Sequence, residues 1–433
     1  MQALLAPLAE LADYQDILKD RKKERGFIQI SGCVGSQKTH LMYALGDGFE
    51  YRVIVFSSEE KAKKAYEEYR IFTDDVFFYP ARDLLFYYAD IKGRQLTDQR
   101  MGVLRALMEK EDGKDITVIT VMDAFLDGLA GPEQFKEQKI SLAGGDEIDL
   151  SELERSLTDM GYERESQIEG PGQFAVRGGI MDVYPLTEEL PVRIELWGEE
   201  IDSLRSFDVE SQRSVENLES VVIYPASENW QDTMETVPFL EYFPEDRTIL
   251  LLDEPKRLQE MAEEAEQEYF RSRENRIESG MEETAESGLT VYATQDIISR
   301  MNGYSGIPLT TLESRCGAFH VRETYSLQTK SVNPYNNSFE MLTRDLKRLK
   351  RSGYRVVLLS GSRTRAKRLA EDLRDYDLSS FYSEDMEREV KPGEIMAAYG
   401  YAAEGYEYPM LKFMVISESD IFGRNKKKKR RKR

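Results

Sequence analysis

The sequence predicts an α/β protein. A parallel-sheet domain of phosphate-loop type is split by an inserted α+β domain, then followed by a second small α/β domain and a basic tail. Three observations carry this reading. Between residues 26 and 130, short apolar runs alternate with helical patterns. Between 133 and 226 the texture changes to strands of period two. After 227 the helix-and-strand alternation resumes.

The first twenty residues, MQALLAPLAELADYQDILKD, read as an amphipathic helix and lack the basic start and small-residue cleavage site of a secretory signal. The runs FIQIS, RVIVFSS, DVFFYP and ITVITV then read as strands, with KTHLMYALG, EEKAKKAYEEYR and LTDQRMGVLRALMEK as intervening helices. That alternation implies βαβ units and a parallel sheet. Gly131-Pro132 breaks the pattern, and one helix is expected in the insert, near Leu150 to Tyr162. TILLLDEP resumes the first domain, with a long acidic helix from about Lys256 to Ile277. NPYNN, Asn333 to Asn337, reads as a linker. Strand RVVLLSG, helix TRAKRLAEDLRDY and strands near Ile395 and Met414 form the last unit. The expected boundaries are 1–130 and 227–333 for the split domain, 131–226 for the insert, 334–423 for the small domain and 424–433 for the tail.

With 433 residues, 40% apolar and 32% charged, the chain has enough material for two to four packed domains. No run of eighteen apolar residues is present, so nothing is expected to span a membrane. Cys33 and Cys316 are the only cysteines, which points to a reducing compartment without a disulfide framework. The net charge is −21 although nine of the last ten residues are Lys or Arg. A body this acidic repels DNA phosphate at long range, so nucleic acid is not expected as the main ligand of the folded part. The KKKKRRKR tail reads as a disordered linker, with binding to DNA, RNA or acidic protein as the alternative.

Residues Gln173 to Arg213 are the most informative stretch. Apolar and charged positions alternate, as in an antiparallel sheet with one buried face. The wet face would carry Arg177, Arg193 and Trp197, a combination typical of a protein-binding hot spot. The alternative is that the two arginines only brace turns.

Ser31 to Thr39, SGCVGSQKT, follows a strand and precedes a helix, where a phosphate-binding loop belongs. Gly32, Lys38 and Thr39 match the motif, for phosphate neutralisation and magnesium binding. Gln37 replaces the glycine that lets the backbone curl around phosphate, and its side chain is expected to crowd that nest. Asp253 and Glu254 end an apolar strand and suit a magnesium-binding acidic motif, but Pro255-Lys256 departs from its usual continuation. No Q-x-x-G-R-x-x-R segment supplies transition-state arginines. The loop therefore reads as decayed, with weak residual phosphate or nucleotide binding left open.

Other signals read as structural. Phe77, Phe78, Tyr79, Phe86, Tyr87 and Tyr88 are taken as packing rather than as a base-stacking clamp. His40 and His320 lack metal-site spacing, so no metal site is assigned, nor any catalytic residue. The acidic helix is a solvated face.

The insert closely resembles the excinuclease B-like domain of the transcription-repair coupling factors, a family of bacterial DNA repair proteins. The resemblance rests on Phe174-Ala175, Arg177-Gly178-Gly179, Asp182, Tyr184-Pro185, Arg193, Glu200 to Ser203, Arg205, Phe207-Asp208 and Gln212-Arg213. It is strong there, moderate in the split domain and weak after residue 334. It implies that the insert binds excinuclease A (UvrA) through Arg177, Arg193 and Trp197, with Trp197 standing where the family commonly has Phe. In full-length members RNA polymerase and double-stranded DNA are further partners. Their ATP and magnesium serve a motor beyond the region resembled here, so this segment is expected to need no cofactor and to have no motor activity. The family's C-terminal domain covers the UvrA-binding face, so a chain ending before it should bind constitutively. A bacterial cytoplasmic location follows from the same resemblance. Two other readings stay open: an ATPase or helicase-like protein using Gly32, Lys38, Thr39, Asp253 and Glu254, and a nucleic-acid binder acting through the tail.

Overall fold

A computed structural model describes residues 1–84, 93–230, 235–280 and 290–423. Phe86, Tyr87, Tyr88, the stretch 281–289 beyond the acidic helix and the basic tail lie outside the described residues.

The main sheet has seven parallel strands in the order Val321–Ser326, Gly26–Ser31, Ser305–Leu309, Thr248–Asp253, Tyr51–Phe56, Ile116–Val121 and Val76–Tyr79. The split is visible in the register. Thr248–Asp253, which follows the insert, lies beside Tyr51–Phe56, which precedes it, with Leu251 opposite Ile54. The central strands are buried along their whole length, which is why they read as continuous apolar runs. Two strands were not among those expected. Ser305–Leu309 contains Gly306 and Pro308, poor strand formers, and a Cβ at Gly306 would collide with the Phe27 ring. Val321–Ser326 is a half-exposed edge. The acidic helix runs from Pro255 to Glu278, close to expectation.

The N-terminal segment departs from the single amphipathic helix. It breaks into a short helix Gln2–Leu5, a 3₁₀ turn Ala6–Glu10 and a helix Tyr14–Lys23. Pro7 has no N–H to continue the α-helical ladder, so the chain tightens into the 3₁₀ turn there. Ala3, Leu4 and Leu8 are buried, against the small domain's sheet.

The insert is a six-stranded sheet ordered Ser214–Leu218, Glu200–Phe207, Val192–Trp197, Ile180–Val183, Gln173–Arg177 and Glu163–Arg164, antiparallel except for the last pair. Helix Leu150–Asp159 covers one face with Leu153 and Leu157 against Phe174, Met181, Val183 and Ile194. Asp149 caps its first turn by accepting from the N–H groups of Ser151 and Glu152. The preceding helix Pro132–Gln138 buries Phe135 in the main core, so the insert's own core begins after it.

A buried ion cluster sits where the insert returns. Arg100, fully buried, bonds Asp127 at 2.7 Å and also Glu228, both of which are fully buried. Arg82 pairs with the same two carboxylates. Arg100 also lies 4.5 Å from the centroid of the Tyr79 ring. Burial disfavours the Arg100 cation, but Asp127 and Glu228 outweigh it and hold its pKa above the ordinary arginine value.

The small domain's sheet runs Lys330–Ser331, Tyr406–Tyr408, Phe413–Ser417, Arg355–Ser360, Ile395–Tyr399 and Ser380–Tyr382. Helices Phe339–Arg351 and Arg363–Arg374 cover one face, and the N-terminal segment with Ala44, Ile71 and Phe72 covers the other. The sheet thus takes in Lys330–Ser331, upstream of residue 334. The NPYNN stretch is packed rather than loose: Tyr335 is buried, its N–H bonds the Asp420 carbonyl at 2.7 Å and its hydroxyl bonds Asp345 at 2.7 Å. Among the described residues, no helix is long and apolar enough to cross a membrane.

Candidate functional site

The polar face of the inserted sheet follows from its register. Arg193 lies opposite Asp182 on one side and Arg205 on the other, while Ala175 faces Asp182 and Glu195 faces Ile180. Trp197 and Glu200 flank a tight turn whose Gly198 has φ +69°, a conformation glycine adopts without strain. The Trp197 side chain stands 84% exposed at that hairpin tip.

Both arginines converge on Asp182. Arg193 makes a bidentate fork, Nε to Oδ1 at 2.7 Å and Nη2 to Oδ2 at 2.9 Å, and Arg177 Nη2 reaches Oδ2 at 2.8 Å. The Arg193 guanidinium also bonds Gln212 at 3.0 Å and lies over the Phe207 ring, 4.3 Å from its centroid. Its hydrogen bonds to Asp182 raise its pKa above the ordinary value. The side chains differ in exposure: 49% for Arg177 against 15% for Arg193. The expectation of two exposed arginines is therefore corrected. Arg193 shares the face but is spent within it, because Asp182, Phe207 and Gln212 take its fork and its flat surface. Arg177 and Trp197 are the groups that project. Beside them, Arg205 pairs with Glu195, which also accepts from the Ser203 hydroxyl at 3.0 Å. Asp182 itself, nearly inaccessible, was part of the sequence pattern but had no role assigned to it.

The phosphate loop is closed on itself. Its helix begins at Gly35, earlier than the motif would have it, with Gln37 in the first turn. Rather than crowding the nest from outside, the Gln37 side chain folds into it. Its Oε1 accepts the Val34 N–H at 3.1 Å and its Nε2 donates to the Tyr408 hydroxyl at 3.0 Å. The Cys33 N–H goes to the Thr310 carbonyl at 3.1 Å. Two loop amides that could face phosphate are thus consumed. Gly32, at φ +80°, packs so closely that a Cβ would strike the Leu327 carbonyl.

Lys38, Asp253 and Glu254 do come together. Lys38 Nζ bonds Asp253 at 2.7 Å and Glu254 at 2.6 Å. Burial acts to lower the pKa of Lys38, but the two carboxylates outweigh it and leave it raised. Burial acts to raise the pKa of Glu254, and its bonds from Lys38 and Thr311 outweigh that and leave it lowered. Thr39 does not join them. Its hydroxyl donates to Glu68 at 2.8 Å, and Ser36 donates to the other oxygen of the same carboxylate. A cavity of about 290 Å³ remains beside Lys38, lined partly by Glu68, Asp253, Glu254 and Glu404. Lys61 and Lys64 line it as well, and with Lys38 they are paired to Asp253, Glu254 and Glu404, so the cations beside the loop are already engaged by carboxylates.

His40, set aside at the sequence level as a metal ligand, belongs to this network. Its Nε2 lies 2.8 Å from the Leu4 carbonyl, which can only accept, so Nε2 carries the proton and Nδ1 accepts from the Tyr408 hydroxyl at 2.8 Å. Burial pushes its pKa down to about 4. A histidine that is neutral when folded takes up its proton on unfolding, so its stabilising contribution is full above about pH 6.5 and is lost as the pH falls toward 4. The slope of unfolding free energy over that window should be shallower in His40→Asn, measured by urea titration at several pH values. Equal slopes would contradict the assignment. Nothing in the residue pattern marked Glu68 or Tyr408. Among the described residues, no cluster of His, Cys, Asp and Glu is suited to a metal ion.

The inserted sheet and the body that carries it are both similar to known proteins. Residues 140–229 match the family described as the UvrB interaction domain. Across 98% of its length the chain is 26% identical to the transcription-repair-coupling factor of Bacillus subtilis (strain 168), covering 41% of that protein. Over 83% of the chain it is 26% identical to the factor of Staphylococcus haemolyticus (strain JCSC1435), and 27% identical to that of Staphylococcus aureus (strain USA300), covering 35% of each. The resemblance to transcription-repair coupling factors read from the residues is borne out, and the chain spans about two fifths or less of these relatives' length.

Proposed function

We propose that this chain recruits excinuclease A (UvrA) in transcription-coupled nucleotide excision repair, through the polar face of its inserted sheet. The observation that carries this is Trp197, a large apolar ring held 84% exposed at a hairpin tip of the sheet on which the half-exposed Arg177 is anchored by Asp182. An exposed indole and a guanidinium on one sheet suit a partner surface with an apolar pocket and carboxylates. Arg193 is a positioning residue, since it fixes Asp182 and through it Arg177. The match of residues 140–229 to the UvrB interaction domain supports the same reading. The segment acts without nucleotide or magnesium, in the bacterial cytoplasm. RNA polymerase and double-stranded DNA are partners of longer family members and are not assigned to this segment.

Isothermal titration against UvrA tests the proposal. Trp197→Ala and Arg177→Ala should each weaken binding by roughly 2–4 kcal/mol, about thirty- to a thousandfold. Unchanged affinity in the folded double variant would overturn it.

A further inference from the structure

The closed phosphate loop and the small domain meet through the loop's own functional positions. Gln37, which replaces the motif glycine, donates to Tyr408 of the small domain. His40, in the helix that follows the loop, accepts from the same hydroxyl. Every donor in this relay has an acceptor: Gln37 to Tyr408, Tyr408 to His40, His40 to the Leu4 carbonyl. All three side chains are buried. A second set of bonds runs alongside. The Ala403 N–H donates to Glu68 at 2.9 Å, the same carboxylate that receives Ser36 and Thr39. The Glu404 N–H donates to the Ser36 hydroxyl at 3.2 Å, and its carboxylate pairs with Lys64 at 3.2 Å while lying against Gly35. Ser36 and Gln37 of the motif thus bond one segment of the small domain, residues 403–408, and Thr39 is tied to it through the shared Glu68 carboxylate.

We propose that the vestigial nucleotide loop is the docking receptor for the small domain: residues 403–408, as an intramolecular ligand, take the Ser36 hydroxyl, the Gln37 amide and a share of the Glu68 carboxylate that holds Thr39, and they set Glu404 against Gly35 beside the Lys38 cavity. The carboxylates of Glu68 and Glu404 stand at the helix start where an anion is favoured, and the Cys33 and Val34 amides are already taken by Thr310 and Gln37. Nucleotide and docked domain are then mutually exclusive, and the residues after 334 acquire a role as the loop's plug. This does not rest on the UvrA-binding reading.

The Ala403 and Glu404 amides report docking directly, because they donate across the junction and not within either sheet. The test is hydrogen exchange on the whole chain, comparing these amides with those of Ile395–Tyr399 in the small sheet. Gln37→Gly, which supplies the glycine the motif lacks, and Tyr408→Phe, which removes one hydroxyl, should each speed exchange at 403 and 404 by about tenfold or more. The 395–399 amides should keep their protection. Neither variant should gain a melting-temperature shift with MgATP while 403 and 404 remain protected. Unchanged exchange at 403 and 404 in both variants would overturn the proposal. So would a MgATP-dependent stabilisation of the wild type that leaves those amides protected. Loss of protection throughout the small sheet would also count against it, since it would mean the contacts support that domain's fold and not its docking.

Discussion

Arg100→Met should lower the unfolding free energy by about 3–5 kcal/mol, the range expected when one partner of a buried ion pair is removed. Methionine keeps much of the volume, so the loss is electrostatic and not a cavity effect. Among the described residues, Asp127 and Glu228, both fully buried, would keep Arg82 as their one cation. Two carboxylates sharing one cation in a low-dielectric site cannot both stay comfortably charged. A urea titration gives the magnitude. Arg100→Met combined with Asp127→Asn should recover part of the loss, because it removes a stranded charge. A midpoint unchanged in Arg100→Met would mean the cluster is not a stabilising unit.

Lys38→Met should also destabilise the protein, by about 3 kcal/mol. This is the expectation for a lysine that two carboxylates already hold. Asp253 would be left with Lys61 at 3.5 Å, and Glu254 with Thr311. A lysine kept waiting for phosphate behaves in the opposite way: it is an unpaired buried cation, and replacing it is neutral or stabilising. The urea shift therefore measures how firmly Asp253 and Glu254 hold Lys38 in the folded chain. A stability equal to or above wild type would mean that these ion pairs do not support the fold.

Much of this architecture could be read from the residues because burial and period are local properties. FIQIS, RVIVFSS, DVFFYP, ITVITV and TILLLDEP are strands because a parallel sheet covered on both faces needs continuous apolar runs. The change to period two marked the insert for the same reason. Ser305–Leu309 was missed because Gly306 and Pro308 suppress a strand signal, and only the approach of Phe27 explains the glycine. The single N-terminal helix was overdrawn where Pro7 tightens the chain. At the site, alternation set Arg177 and Arg193 on one face, where both reach Asp182, and Trp197 is exposed at the hairpin tip. It could not show that register sets Asp182 beside Arg193 and so removes that guanidinium from view. Lys38, Asp253 and Glu254 were grouped by motif logic and do meet, whereas Thr39 turns to Glu68, a residue with no motif of its own. Long-range partners of this kind depend on tertiary placement, which no local pattern encodes.

The loop's glycines carry a consequence for how such proteins drift. Gly32 is held by the Leu327 carbonyl pressed against it, and Gly35 by its left-handed backbone at φ +44°. Substitution at either is resisted by the fold itself, whatever becomes of the ligand. The outline of a nucleotide signature can thus persist in a lineage long after its chemistry has gone.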